Sequence, residues 1–220
     1  MKTIGLIGGM SWESTLGYYR IINQEVSKRR GGFHSAKILI FSVDFGEIES
    51  LMREGRWDEV GGQIATIAKT LEGGGADVIL LCTNTVHKVA ASIERETTIP
   101  FIHIADATGE EITKREMKKV GLLGTRYTME EDFYRDRLSD RFGLSVVIPP
   151  EDKRGMINEV IFNELCHGVI SELSNNRFKK VIRELVEHGA EGIILGCTEI
   201  PMLIKDEDSP VPLFDTTSIH

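Results

Sequence analysis

The chain carries one segment twice. Residues 75–85 read Gly-Ala-Asp-Val-Ile-Leu-Leu-Cys-Thr-Asn-Thr, and residues 189–199 read Gly-Ala-Glu-Gly-Ile-Ile-Leu-Gly-Cys-Thr-Glu. At the offset of 114 that brings Gly75 onto Gly189, the small residue, the acid and the apolar run coincide. A second echo, residues 3–9 against residues 119–125, has an offset of 116. Each half thus opens with a short apolar strand ending in Gly and holds a second such strand about 70 to 75 residues later. A repeat of this length is a duplicated domain rather than a solenoid unit, so the 220 residues are expected to form two domains of roughly 100 residues each. The same register separates two Cys-Thr pairs: Cys197 falls opposite Thr83, and Cys82 falls opposite Gly196.

Apolar runs of strand length alternate with helical patterns along the whole chain, which predicts βαβ units, parallel sheets and the α/β class. Strands are expected at 3–7, 37–43, 78–81, 101–104, 120–123, 145–148 and 193–195, and their continuous Val/Ile/Leu character suits strands covered on both faces. Helices are expected at 12–29, 57–73, 84–94, 129–142, 154–165 and 177–188, the first carrying Leu16, Tyr19, Ile22 and Val26 along one side. The domain boundary is placed at 105–108. The first domain then covers 1–106 and the second 107–210, with the tail 211–220 returning to the first.

A net charge of −8 and a pI near 5.3 argue against a general nucleic-acid binder, which needs concentrated Lys and Arg. The short cluster Lys28-Arg29-Arg30 reads as the solvated C-terminal end of a helix, where cations are favoured. No apolar run approaches the ~20 residues of a membrane span, and the N-terminus lacks a secretory pattern. A cytoplasmic protein is expected. Cys82, Cys166 and Cys197 are odd in number, far apart and without CxxC spacing, a poor framework for disulfides or zinc, so no metal site is expected.

The chemistry concentrates where the repeated strands end, because ligands of open α/β sheets bind at the carboxyl ends of strands. The turn at Gly8, Gly9, Met10 and Ser11 lacks the glycine spacing of a dinucleotide fingerprint; Ser11 as helix N-cap and close backbone amides suit a small anion instead. Thr83, Asn84 and Thr85 end one repeated strand, and Cys197, Thr198 and Glu199 the other. A thiol at a helix start is expected to have a lowered pKa, which makes Cys197 the candidate reactive group. Cys82, one residue earlier in an extended segment, would point to the opposite face of its sheet and is read as structural.

Gly8-Gly9-Met10, Asn84-Thr85-Val86-His87, Leu123-Gly124-Thr125 and Gly196-Cys197-Thr198-Glu199-Ile200, in that order, resemble the cofactor-independent aspartate/glutamate racemases over essentially the whole chain. The resemblance implies two similar α/β domains related by a pseudo-twofold axis, with the substrate between them. It also implies two cysteines on opposite faces of the α-carbon, the second acting on the L-enantiomer, with no pyridoxal phosphate, metal or nucleotide. Homodimers are common in that family, and an apolar face around Tyr18, Tyr19 and Ile22 fits an interface, though more simply a core.

The chain departs from the family at Thr83, where the pattern has its first cysteine. A thiol ionises near pH 8.5 and an aliphatic alcohol far above that. The expectation is therefore an asymmetric racemase with Cys197 as base and Thr83 delivering or relaying a proton, and Thr83→Cys should bring the two directions closer together. Met10, Ser11, Asn84, Thr85, Thr125, Tyr127, Thr128, Thr198 and Glu199 are expected to contact the substrate. Acid-specific relatives place an Arg and a Lys on the distal carboxylate at positions falling near Glu49 and Cys166; Arg53, Arg56 or Arg126 are candidate replacements. Aspartate and glutamate lead, with neutral amino acids such as homoserine open. Loss of one thiol also keeps open a single-cysteine decarboxylase or isomerase of the superfamily, and a non-catalytic amino-acid-binding module.

Overall fold

Short Val/Ile/Leu runs cannot satisfy their backbone groups alone, and here they pair into two separate parallel sheets. The computed structural model describes residues 1–220 as two units, 1–103 and 104–220. The first contains β1 (Thr3–Gly8), α1 (Trp12–Arg30), β2 (Lys37–Ser42), α2 (Phe45–Arg53), α3 (Trp57–Gly73), β3 (Val78–Leu81), a 3-10 turn (Thr85–Val89), α4 (Ala90–Glu96) and β4 (Phe101–Ile102). The second contains α5 (Ile104–Lys114), β5 (Lys119–Gly124), α6 (Arg126–Glu130), α7 (Asp132–Phe142), β6 (Ser145–Val147), α8 (Glu151–Asn163), α9 (Glu172–Glu187), β7 (Gly192–Gly196), α10 (Ile200–Leu203), β8 (Leu213–Asp215) and α11 (Thr216–Ile219), with 3-10 turns at Leu165–His167 and Asp206–Asp208. The strand orders are β2-β1-β3-β4 and β6-β5-β7-β8, every pair parallel.

The duplication is visible in the register. Gly5 pairs with Ile79 in the first sheet and Gly121 with Ile193 in the second; 121 − 5 is 116 and 193 − 79 is 114. The entry into β3 is fixed by Asp77, whose N–H donates to the Thr3 carbonyl at 2.8 Å and whose carboxylate accepts from the Thr3 N–H at 2.6 Å. Glu191 repeats both bonds with Lys119, at 2.8 and 3.0 Å. The acid shared by the two copies is therefore a register clamp, and Thr83 and Cys197 leave their sheets at matched positions.

Each unit has its own core. In the first, Leu6, Leu80 and Cys82 pack with Tyr18 of α1 on one side of the sheet. Cys82 has no exposed surface, and burial pushes its thiol pKa up. This fits the structural reading of that residue. The second core gathers Leu122, Leu123, Ile193, Ile194, Leu195 and Phe214 under Tyr134, Ile157, Phe178 and Ile182.

Three expectations are corrected. The tail does not return to the first unit: Leu213–Asp215 pairs with β7, with Leu195 opposite Asp215 and Phe214 buried, because β7 needs a partner on its outer edge. The boundary does not fall at 105–108, which lies in α5, whose buried positions Ile104, Thr108 and Ile112 recur every four residues; the units divide between His103 and Ile104. On α1 the apolar face splits: Tyr18 is buried and Ile22 packs partly buried against the core as expected, while Leu16 and Tyr19 are about half exposed and Ser14 and Thr15 are buried. Small hydroxyl residues face inward there because they stitch the helix to the sheet, as described next. No helix is long and apolar enough to cross a membrane.

Candidate functional site

In the first unit the strand ends are joined by a chain of hydrogen bonds. Gly9 has φ +94°, a conformation that favours glycine, and a Cβ there would lie 2.4 Å from the Val43 carbonyl oxygen. Its N–H donates to Thr15 Oγ1 at 2.8 Å, and Thr15 Oγ1 donates to the Ser11 carbonyl at 3.1 Å. Ser11 caps α1 by accepting from the Ser14 N–H at 3.4 Å, and Ser14 Oγ donates to the Cys82 carbonyl at 2.8 Å. The Gly8-to-Ser11 turn is thereby held against the end of β3. Met10, Ser11, Thr83, Asn84 and Thr85 are all buried there. Thr83 donates its N–H to the Leu81 carbonyl at 2.9 Å, and its own carbonyl lies 2.6 Å from His87 Nδ1.

In the second unit Gly124 and Gly196 are partners across β5 and β7. A Cβ on Gly196 would lie 2.8 Å from Leu122 Cδ1 and 2.9 Å from the Leu123 carbonyl oxygen, so the chain reaches Cys197 through a close backbone approach that a larger residue would disturb. Thr125 caps α6, its Oγ1 accepting the Thr128 N–H at 3.3 Å. Thr128 is 0 % exposed and its methyl packs under Gly124 and Gly196, beneath the turn rather than on it; Tyr127 is half-buried.

The candidate cluster follows β7. Cys197 Sγ donates to Glu199 Oε2 at 3.0 Å, and Thr198 Oγ1 donates to the same oxygen at 2.8 Å. Glu199 is only 4 % exposed. Burial first, then the Glu199 carboxylate and the Cys166 thiol, push the Cys197 thiol well above its usual value. This corrects the expected lowering. The helix after Cys197 is the single turn Ile200–Leu203, too short to supply much macrodipole, and a carboxylate touches the sulfur. Cys166, in the 3-10 turn Leu165–His167, is itself pushed up to about 12 by burial and by Glu199. The Cys197 thiol and the Glu199 carboxyl group thus stand buried and within hydrogen-bond reach of each other, an arrangement able to pass a proton between sulfur and oxygen.

The candidate replacements for a distal-carboxylate clamp are engaged locally. Arg53 pairs with Glu49 at 3.8 Å, Arg56 with Glu54 at 2.9 Å and Glu59 at 2.5 Å, and Arg126 with Glu130 at 3.8 Å. No group of three or more His, Cys, Asp or Glu side chains that could hold a metal is brought together. Sequence reasoning did not find the His87 ring bonded to Thr83, nor the proximity of Cys166 and Glu199 to the Cys197 sulfur. Spacings of four and two residues were the only signals available for the first and for Glu199; Cys166 lies too far away in the chain to give one.

The model of the Asp/Glu/Hydantoin racemase family matches residues 7–220. A crystal structure from Yersinia pestis, provisionally assigned as an Asp/Glu racemase, is 51 % identical, covers 100 % of this chain and 96 % of that one, and superposes with a TM-score of 0.94. An aspartate racemase homologue from Pyrococcus horikoshii OT3 is 38 % identical over 100 % of this chain and 96 % of that one, with a TM-score of 0.84. The broad specificity amino-acid racemase RacX of Bacillus subtilis (strain 168) is 26 % identical over 166 residues, 73 % of this chain and 69 % of that protein.

Proposed function

We propose that this chain, which belongs to the Asp/Glu/Hydantoin racemase family, is a pyridoxal-phosphate-independent amino-acid racemase acting on aspartate, glutamate or a related small amino acid. The observation that carries the reading is the Cys197–Glu199 contact of 3.0 Å at the end of β7, in the position that the register equates with Thr83 at the end of β3. Cys197 hands its proton to Glu199 and, as thiolate, takes the α-proton. The resulting carbanion is protonated on its other face by Thr83, whose hydroxyl takes a replacement proton from water; Glu199 releases its proton through solvent to the hydroxide so formed, and the cycle closes with Cys197 holding the former α-proton. An alcohol ionises far above a thiol, so Thr83 passes a proton through and does not rest as a base. The family resemblance supports a substrate that meets both groups, and implies that the Cys197 side acts on the L-enantiomer.

The loss of the first thiol favours one rival, a single-cysteine decarboxylase or isomerase. Incubation of single enantiomers of aspartate, glutamate and homoserine in D2O separates the readings. The proposal expects α-deuterium together with the opposite enantiomer. Release of CO2 from a malonate with no amino-acid exchange would replace it with the lyase reading, and thermal stabilisation by an amino acid without any exchange would replace it with a binding module. The name of the Bacillus subtilis relative supports including neutral amino acids among the substrates tested.

A further inference from the structure

We infer that His87 is a positioning residue for Thr83: its buried imidazole locks the Thr83 carbonyl and so fixes where the Thr83 hydroxyl stands. This rests on the racemase reading given above.

The two half-sites differ in how they close the carbonyl of the residue that leaves the strand. In the second unit the Cys197 carbonyl accepts the backbone N–H of Ile200 at 3.1 Å, an ordinary turn. In the first unit the Thr83 carbonyl is met by the His87 side chain, with Nδ1 2.6 Å away. The residue matched to His87 at the offset of 114 is Pro201, which has neither a ring donor nor a backbone N–H. A carbonyl oxygen can only accept, so Nδ1 carries the proton. The His87 backbone N–H also donates to the Asn84 carbonyl at 3.1 Å, so one residue ties down both Thr83 and Asn84.

The ring itself is fixed. His87 and His103 are both buried, with ring centroids 4.5 Å apart and edge-on, and Phe101 stacks on His87 at 5.6 Å. An imidazole held by two aromatic neighbours gives a carbonyl partner with little freedom, whereas a backbone turn could slide with the chain. The thiol side needs less of this, since Cys197 is held by its own bond to Glu199. Proton delivery by a hydroxyl depends steeply on placement, and Thr83 is the weaker of the two groups.

The test uses His87→Phe, which keeps an aromatic ring and removes the donor, and His87→Asn, whose amide places a donor near the Nδ1 position. With L-aspartate in D2O, Cys197 alone can exchange the α-proton with retention, whereas inversion also needs Thr83. His87→Phe is expected to lower inversion about tenfold relative to exchange, the loss expected of one hydrogen bond, and His87→Asn to restore most of it. A parallel fall of both rates, an unchanged ratio, or no rescue by Asn would overturn the inference. A second readout does not need activity: 15N NMR of the wild-type protein should show the His87 proton on Nδ1, and a ring protonated at Nε2 alone would overturn the inference. Absence of exchange by the wild-type protein with L-aspartate, L-glutamate and L-homoserine would count against the racemase reading, while the NMR result would still decide the hydrogen bond.

Discussion

Replacing Glu199 with Gln should make Cys197 a stronger acid and the protein a poorer catalyst. The carboxylate oxygen lies 3.0 Å from the sulfur. Two unit charges at that distance repel by about 5.5 kcal/mol at an effective dielectric of about 20, and by about 1.4 kcal/mol in bulk water. Removing the charge should therefore lower the titration midpoint of Cys197. Burial, the largest cause of the raised value, remains in the variant. The midpoint is read from thiolate absorbance at 240 nm, as the difference between each protein and its Cys197→Ser counterpart, which cancels Cys82 and Cys166. Turnover should move the other way. Gln cannot take the proton, and loss of a general base costs about 10²- to 10⁴-fold, so α-proton exchange from the L-enantiomer should fall at least about 100-fold. If Glu199→Gln exchanged as fast as the parent or faster, the carboxylate would only be suppressing the thiolate and the proposed hand-off would be wrong. An unmoved midpoint would refute the electrostatic argument itself.

Thr83→Cys should raise inversion more than L-side exchange, bringing the two rates together. Enantiomers have equal free energy, so kcat/KM stays equal in both directions in any variant, and the asymmetry must be read from the exchange-to-inversion ratio; no change in that ratio would remove Thr83 from the pathway. Alkaline pH should destabilise the fold. Cys82, Cys166 and Cys197 all have folded pKa values raised above the unfolded value near 8.5. Their contribution is therefore fully present below about pH 8.5 and is lost as pH rises, with a slope of up to about 1.4 kcal/mol per pH unit for each buried thiol. Urea unfolding from pH 8 to 11 should show this decline, and Cys82→Ala should make it shallower while lowering stability at neutral pH; an unchanged slope would show that Cys82 titrates alike in both states.

Much of the scaffold was legible because burial on both faces writes a strand as an uninterrupted apolar run. Val78–Leu81 stands as read, and the runs beginning at Thr3, Lys119 and Gly192 differ by a residue or two at their ends. The repeat even carried the register, since Asp77 and Glu191 hold equivalent backbone groups. What escaped depended on partners distant in the chain or on small polar residues inside. Strand β8 has three residues, and only the open edge of β7 makes it one. Helix α5 buries Thr108 and Gly109, which do not look apolar; Thr108 Oγ1 donates to the Ile104 carbonyl at 2.8 Å, and Phe142 lies where a Cβ on Gly109 would be. The candidate site was read by residue type, but the direction of the Cys197 pKa was not, because burial of the thiol, and after it the carboxylate two residues on, are set only by the folded chain.

The strand orders also have a consequence for synthesis. Every partner of the Thr83 sheet is complete by Ile102, the end of β4. Strand β7, which leads to Cys197, has its outer ladder supplied by Leu213–Asp215 alone. A chain made from its N-terminus therefore finishes the hydroxyl half while the thiol half still has an open sheet edge. That edge is the more exposed to mispairing, and it stays open until Leu213–Asp215 has emerged.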